Sequence, residues 1–215
     1  MEPKHILKTL GRPVTPRVSV YENEKRIREL YAQRIGSISS FEISLEAGAE
    51  FESSVLGLLG ITLAGAKVVT SEHELSALQK AWLLEEVERE RGVLHSPDDG
   101  DLKNGDLLAF SGFSRIVLSP QTVTDETSGF PPDVALVVET RRAEQAAVLK
   151  EVIVLSARTK NHHVACIASS QFVTDLGHMC SYPSGNYGLL GRVELSHPRV
   201  LFASPVWIYF TSEEG

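Results

Sequence analysis

The segment from Ser37 to Val69 alternates apolar and polar residues with a period close to two, and it constrains the fold more than any other stretch. Phe41, Ile43, Leu45, Ala47, Ala49 and Phe51 share one parity; Glu42, Ser44, Glu46, Gly48, Glu50 and Glu52 take the other. Successive side chains on a strand point to opposite faces, so the pattern predicts a long half-buried strand with an acidic outer face. The odd positions stay mostly apolar or small through Val55, Gly57, Leu59, Ile61, Leu63 and Gly65, which predicts a β-hairpin with an apolar, glycine-spaced tip near residues 55–60. Such a tip needs cover from its own core, a second copy, another protein or a bilayer.

The acidic row of Glu42, Glu46, Glu50 and Glu52 fits two settings. One is an edge hairpin lying over a soluble core, and the other is a barrel wall between water and lipid. After Glu52 the even face loses its charges, with Leu56, Leu58 and Ala64 in their place. Unguarded strands of this kind invite pairing with other chains. Self-association through residues 38–69 is therefore the expectation, with Val55, Leu56, Leu58, Leu59, Ile61 and Leu63 as the interaction residues. If residues 55–66 were helical instead, Gly57, Gly60 and Ala64 would form a small-residue stripe suited to close packing, and a partner would still be required.

A chain of 215 residues, 42% hydrophobic and 23% charged, has the composition of an ordinary globular protein of one or two domains. Its net charge of −7 argues against nucleic acid as the main partner. The charge is uneven: residues 1–34 carry net +4, which leaves −11 for the remainder. Cys166 and Cys180 do not make a disulfide framework and read as reduced thiols in a cytoplasm. No secretory signal is evident near the N-terminus. The longest apolar run, residues 55–66, falls short of the roughly 20 residues that a transmembrane helix needs.

Along the chain, residues 1–17 read as an irregular arm and Val18–Tyr21 as a short strand. Ile27, Leu30, Tyr31 and Ile35 recur at helical spacing over Glu24–Arg34. A capping box at Ser71-x-x-Glu74 would start a second helix, with Leu75, Leu78 and Trp82 buried and an end before Gly92. Residues 96–105 form the clearest loop and a candidate boundary between a region at 18–95 and a mixed region at 106–215, unless both make one compact domain. Asp106–Leu118 reads as a small hairpin turning at Ser111-Gly112. Helical character follows from about Val134 to Arg158, although Val152–Leu155 also suits a strand. Val164–Ala168, Leu189–Leu195 and Val206–Phe210 complete the strands, with a turn at Ser184-Gly185-Asn186. The fold class is α+β: a long amphipathic hairpin near the N-terminal third, then a mixed helix and strand C-terminal half.

Chemistry-bearing motifs are sparse. His162, His163, Cys166, His178 and Cys180 lie within twenty residues, but their spacing matches no common zinc site, and a buried structural Cys166 is the simpler reading. A cysteine–histidine enzyme using Cys166 or Cys180 with His178 would have to be assembled by the fold. No nucleophile elbow or phosphate loop is present, and Asp98, Asp99 and Asp101 read as solvated charge rather than a calcium loop. No cofactor, metal or catalytic residue is expected.

Val20-Tyr21-Glu22-Asn23, Leu30-Tyr31-Ala32-Gln33, the alternating segment and Tyr187-Gly188-Leu189-Leu190-Gly191-Arg192-Val193 together resemble a family of uncharacterised bacterial proteins known only as a domain of unknown function. The resemblance implies a bacterial cytoplasmic origin and a mixed α/β build, and carries no activity to transfer. The expected function is a non-enzymatic protein that forms homo-oligomers through residues 38–69. It would act as a membrane-directed or defence-associated effector, with cytoplasmic or membrane-associated localisation. The alternatives are a soluble module that binds a ligand or another protein, and a cysteine/histidine-dependent enzyme.

Overall fold

A computed structural model describes residues 5–8, 17–35, 40–44, 67–71, 75–149, 151–197 and 199–211. Both helices and strands are present, as an α+β chain requires. Two compact units divide the chain: one takes residues 1–16 and 24–92, the other residues 17–23 and 93–215.

In the first unit, β1 (His5–Lys8) runs parallel to β3 (Ser40–Ser44), which pairs antiparallel with β4 (Lys67–Ser71). The order β1-β3-β4 makes a three-stranded sheet. Beside it in the same unit, α1 (Glu24–Arg34) packs with α2 (Ala77–Glu90). Helix α1 buries Ile27, Leu30 and Tyr31, as its spacing predicts. The cap of α2 differs from expectation. Ser71 ends β4, and the capping box is Ser76 with Gln79, whose side chain accepts from the Ser76 amide at 2.6 Å. Gln serves as well as Glu here, because the reciprocal bond needs only a side-chain acceptor at the third helical position. Two acidic residues of α2 are buried, and each has an arginine partner. Glu88 is met by Arg34 at 3.1 Å and Arg91 at 3.0 Å, and Glu85 by Arg89 at 2.5 Å. Removing one partner of such a set leaves a charge buried without compensation.

The second unit is a closed barrel. Its strands are β5 (Leu107–Leu118), β6 (Val152–Arg158), β7 (His163–Ser169), β8 (Ser184–Ser196) and β9 (Val200–Thr211). The pairing order β9-β7-β6-β5-β8 returns to β9, so the sheet closes on itself. All of these contacts are antiparallel except β7 with β9, which is parallel. Strand β2 (Arg17–Glu22) lies antiparallel to the C-terminal half of β9, beyond the stretch that β7 occupies. Register shifts near Leu190/Gly191 and Val193/Leu195 supply the local bends that a small barrel needs. Pro205, which cannot donate to a ladder, sits at the first of these shifts.

Alternate residues point inward: Ile153, Leu155 and Ala157 from β6, Val164, Cys166 and Ala168 from β7, and Tyr187, Leu189 and Val193 from β8. The opposite parity of β6, β7 and β9 presents Val152, Val154, Ala165, Ile167, Val200 and Phe202 to the outside. There α4 (Pro132–Leu149) covers them with Val134, Ala135 and Val138. Burial on both faces explains why β6 reads as a continuous apolar run rather than an alternation. It is a separate strand, and the expected helix to Arg158 stops at Leu149.

Two expected turns are strand instead. Ser111-Gly112 lies within β5, opposite Gly188 and Tyr187, in the middle of the stretch that pairs with β8. Ser184-Gly185-Asn186 begins β8, and a Cβ on Gly185 would come within 2.7 Å of the Phe210 ring. These glycines make room for aromatic rings on neighbouring positions. The turn glycine of this region is Gly129, at φ 71°, which ends the short helix α3 (Asp125–Ser128).

Candidate functional site

Val55, Leu56, Leu58, Leu59, Ile61 and Leu63 lie outside the described residues. The flanks of their segment are described. Ser40–Ser44 and Lys67–Ser71 pair antiparallel with Phe41 opposite Thr70 and Ile43 opposite Val68, and Ser44 is opposite Lys67.

The remaining candidates are all in the barrel unit, and the fold does not gather them. Cys166 points into the barrel at zero exposure. Burial, reinforced by the carboxylate of Glu194, pushes its thiol far above the ordinary range. A thiol held in that state is not a nucleophile, because the thiolate is the reactive form. Cys180 is exposed on α5 (Leu176–Ser181), a single-turn element capped by Asp175. Helix α5 drives Met179 into the barrel core, and its His178 ring packs 4.6 Å from Phe210 and 4.8 Å from Tyr182. His162 sits in the β6–β7 turn, whereas His163 is the first residue of β7. Among the described residues no three His, Cys, Asp or Glu side chains converge as a metal site.

The barrel interior is taken up by side chains. Phe210 and Phe172 pack against the core together with the buried Met179, and Leu102 joins it from the loop 96–105. Asp98 of that loop, read from sequence as solvated charge, has a specific task. It accepts from Thr159 Oγ1 at 2.6 Å, Asn161 N at 2.8 Å and Lys160 N at 3.2 Å, tying the loop to the β6–β7 turn. Partial desolvation works to raise its pKa, but these bonds and the nearby His162 bring it below the usual carboxylate range. Tyr187 is similarly engaged: its hydroxyl donates to the Tyr182 carbonyl, and burial pushes its pKa up to about 12.

His163 has a setting that its sequence neighbourhood does not reveal. Its ring meets Phe130 edge-on at 5.3 Å, and its Nδ1 is buried without a hydrogen-bond partner. Burial and then the positive charges of Arg158 and Arg199 hold its pKa below the ordinary histidine value, against the pull of Asp133. Arg158 is its direct cross-strand neighbour, and Arg199 precedes the β9 residue that pairs with it. The only hint in the sequence is that two turn-like stretches, 158–163 and 197–199, are both rich in basic and imidazole groups.

Among the described residues, no helix is long and apolar enough to cross a membrane. No family model matches this chain, and neither a curated protein nor a solved structure matches it.

Proposed function

We propose that this chain is a non-enzymatic protein that self-associates through residues 38–69. The observation that carries the reading is where the strand edges fall. In the barrel unit the sheet closes on itself, and the outer edge of β2 is met by Val173 and Thr174, with Thr174 N donating to the Val20 carbonyl at 3.0 Å. In the other unit the sheet β1-β3-β4 ends in β1 and β4, with no further strand beside either among the described residues. Open edges are where strands from separate chains pair. The segment between β3 and β4 carries the apolar run Val55-Leu56-Gly57-Leu58-Leu59-Gly60-Ile61, so in sequence the run lies next to the edge strand β4.

The buried, protonated Cys166 and the dispersal of the histidines support a binding or assembly role over cysteine/histidine catalysis. Native mass spectrometry of the full chain without detergent tests the proposal. A discrete oligomer is expected, and Leu58→Asp or Ile61→Asp should reduce it to monomer. A monomeric parent chain, or an oligomer that survives both substitutions, refutes it. Leakage from dye-loaded liposomes then separates assembly in solution from assembly directed to a bilayer.

A further inference from the structure

Strands β7 and β9 are parallel, and both begin at the same rim of the barrel, with His163 opposite Val200. The turns that lead into them are therefore side by side, although 36 positions separate His163 from Arg199. The first turn contributes Arg158, Lys160 and His162, and the second His197 and Arg199. Arg158 and Lys160 are exposed and make no ion pair among the described residues. On a chain of net charge −7 this rim is a local reversal of sign.

Within it, Arg158 faces His163 directly across the β6–β7 pair, on the outward parity of the barrel wall. Arg199 flanks the same ring from the other side, where its backbone carbonyl accepts from His163 N at 3.4 Å. The two guanidinium groups on either side of the ring disfavour a positive charge on His163. The acid that answers this cluster is Asp133, in the first turn of α4, which pairs with Arg199 through Nη1. Among the described residues, Arg158 is left without a counter-charge. Asp98, the other nearby carboxylate, is taken up by the donors of the β6–β7 turn.

We propose that Arg158, His163 and Arg199 bind a phosphate group, either as a free anion or on a lipid headgroup. Two guanidinium forks present paired N–H donors suited to phosphate oxygens, and a doubly charged anion can accept from both at once. The imidazole between them offers Nε2 as a further donor. The Asp133 carboxylate competes for Arg199, so a bound phosphate and the Arg199–Asp133 pair oppose each other. This site belongs to the barrel unit and stands independently of assembly through residues 38–69.

The test is a titration of the full chain with inorganic phosphate at fixed ionic strength, reading the His163 imidazole signals by NMR. Saturable shifts are expected. The apparent affinity should fall about tenfold in Arg158→Gln and in Arg199→Gln, as the loss of a charge-assisted contact implies, and should rise in Asp133→Asn. The opposite sign for Asp133→Asn keeps the result apart from a general loss of structure. A second arm measures co-sedimentation with phosphatidylcholine vesicles carrying a phosphoinositide. Binding there that depends on Arg158 and Arg199, with only weak response to inorganic phosphate, identifies a headgroup as the source. Shifts that chloride reproduces, or binding in both arms that is indifferent to all three substitutions, overturn the proposal.

Discussion

Gly188→Ala should destabilise the barrel by about 1.5–4 kcal/mol, and the reason lies on the neighbouring strand. Gly188 is directly opposite Tyr209 in the β8–β9 pair, and a Cβ built on Gly188 falls 2.1 Å from the Tyr209 ring atoms Cε2 and Cζ. Carbon atoms in contact sit at about 3.5–4.0 Å, so the ring would have to move by more than about 1 Å. It has little room to do so. Tyr209 is 3% exposed, its ring lies 4.3 Å from that of Trp207, and the Arg17 guanidinium sits 4.4 Å over its face. Overpacking a fitted site costs about 1–3 kcal/mol, and disturbing a partly buried cation–π contact adds about 0.5–1 kcal/mol. Urea unfolding followed by Trp207 fluorescence measures the loss, in a Trp82→Phe background that silences the tryptophan of the other unit. The decisive comparison is a double-mutant cycle with Tyr209→Ala. With the ring gone the added methyl has space, and Gly188→Ala should then be neutral or stabilising by about 0.4–1 kcal/mol through the unfolded state. Losses that simply add in the cycle, or a loss below about 0.5 kcal/mol for Gly188→Ala alone, would refute the argument.

Other outcomes follow from the same geometry. Asp98→Asn should weaken the clamp on the β6–β7 turn and flatten the acid limb of the stability profile. The Asp98 pKa is depressed in the folded chain, so its contribution is fully present above the unfolded carboxylate value. That contribution is lost as pH falls through the depressed folded value, and urea midpoints measured from neutral pH into the acid range for both chains check the sign. Brief alkylation of the native chain should label Cys180 alone, with Cys166 reacting only at the rate of barrel opening. Peptide mass mapping reads the two sites separately, and equal labelling would contradict the interior placement of Cys166.

The parts legible from sequence were those whose cause is local. Helix α1 follows from the spacing of Ile27, Leu30 and Tyr31, and β7 from a short apolar run. Of the alternating segment, only the flanks β3 and β4 are described, and they pair antiparallel. The barrel was hidden for a specific reason. Gly112 and Gly185 read as turn residues and Gly188 lies just before an expected strand, yet all three stand in strands where Phe110, Phe210 and Tyr209 need the space. The demand for a glycine there comes from a different ring each time, and for Gly185 and Gly188 from more than twenty positions away, so no local window contains it. Helix α5 was missed because it is only 6 residues long, too short for periodicity to register. The grouping of Arg158, His163 and Arg199 depends on a parallel pairing between strands separated by all of β8, and spacing alone cannot report it.

Strand β9 pairs with β7, β8 and β2, and its partner register runs from Arg17 opposite Thr211 to His163 opposite Val200. During synthesis, β2 emerges long before its partner β9 exists, because β5 to β8 all lie between them in sequence. Until residues 200–211 are available, the edges of β2, β7 and β8 that will receive β9 are all open together. Pairings so distant in sequence form slowly, and strand edges left bare in the interval are where nascent chains stick to one another. A nascent chain of this protein therefore depends on what shields those edges until β9 arrives, and a message cut short just before residue 200 yields a product that cannot close its barrel at all.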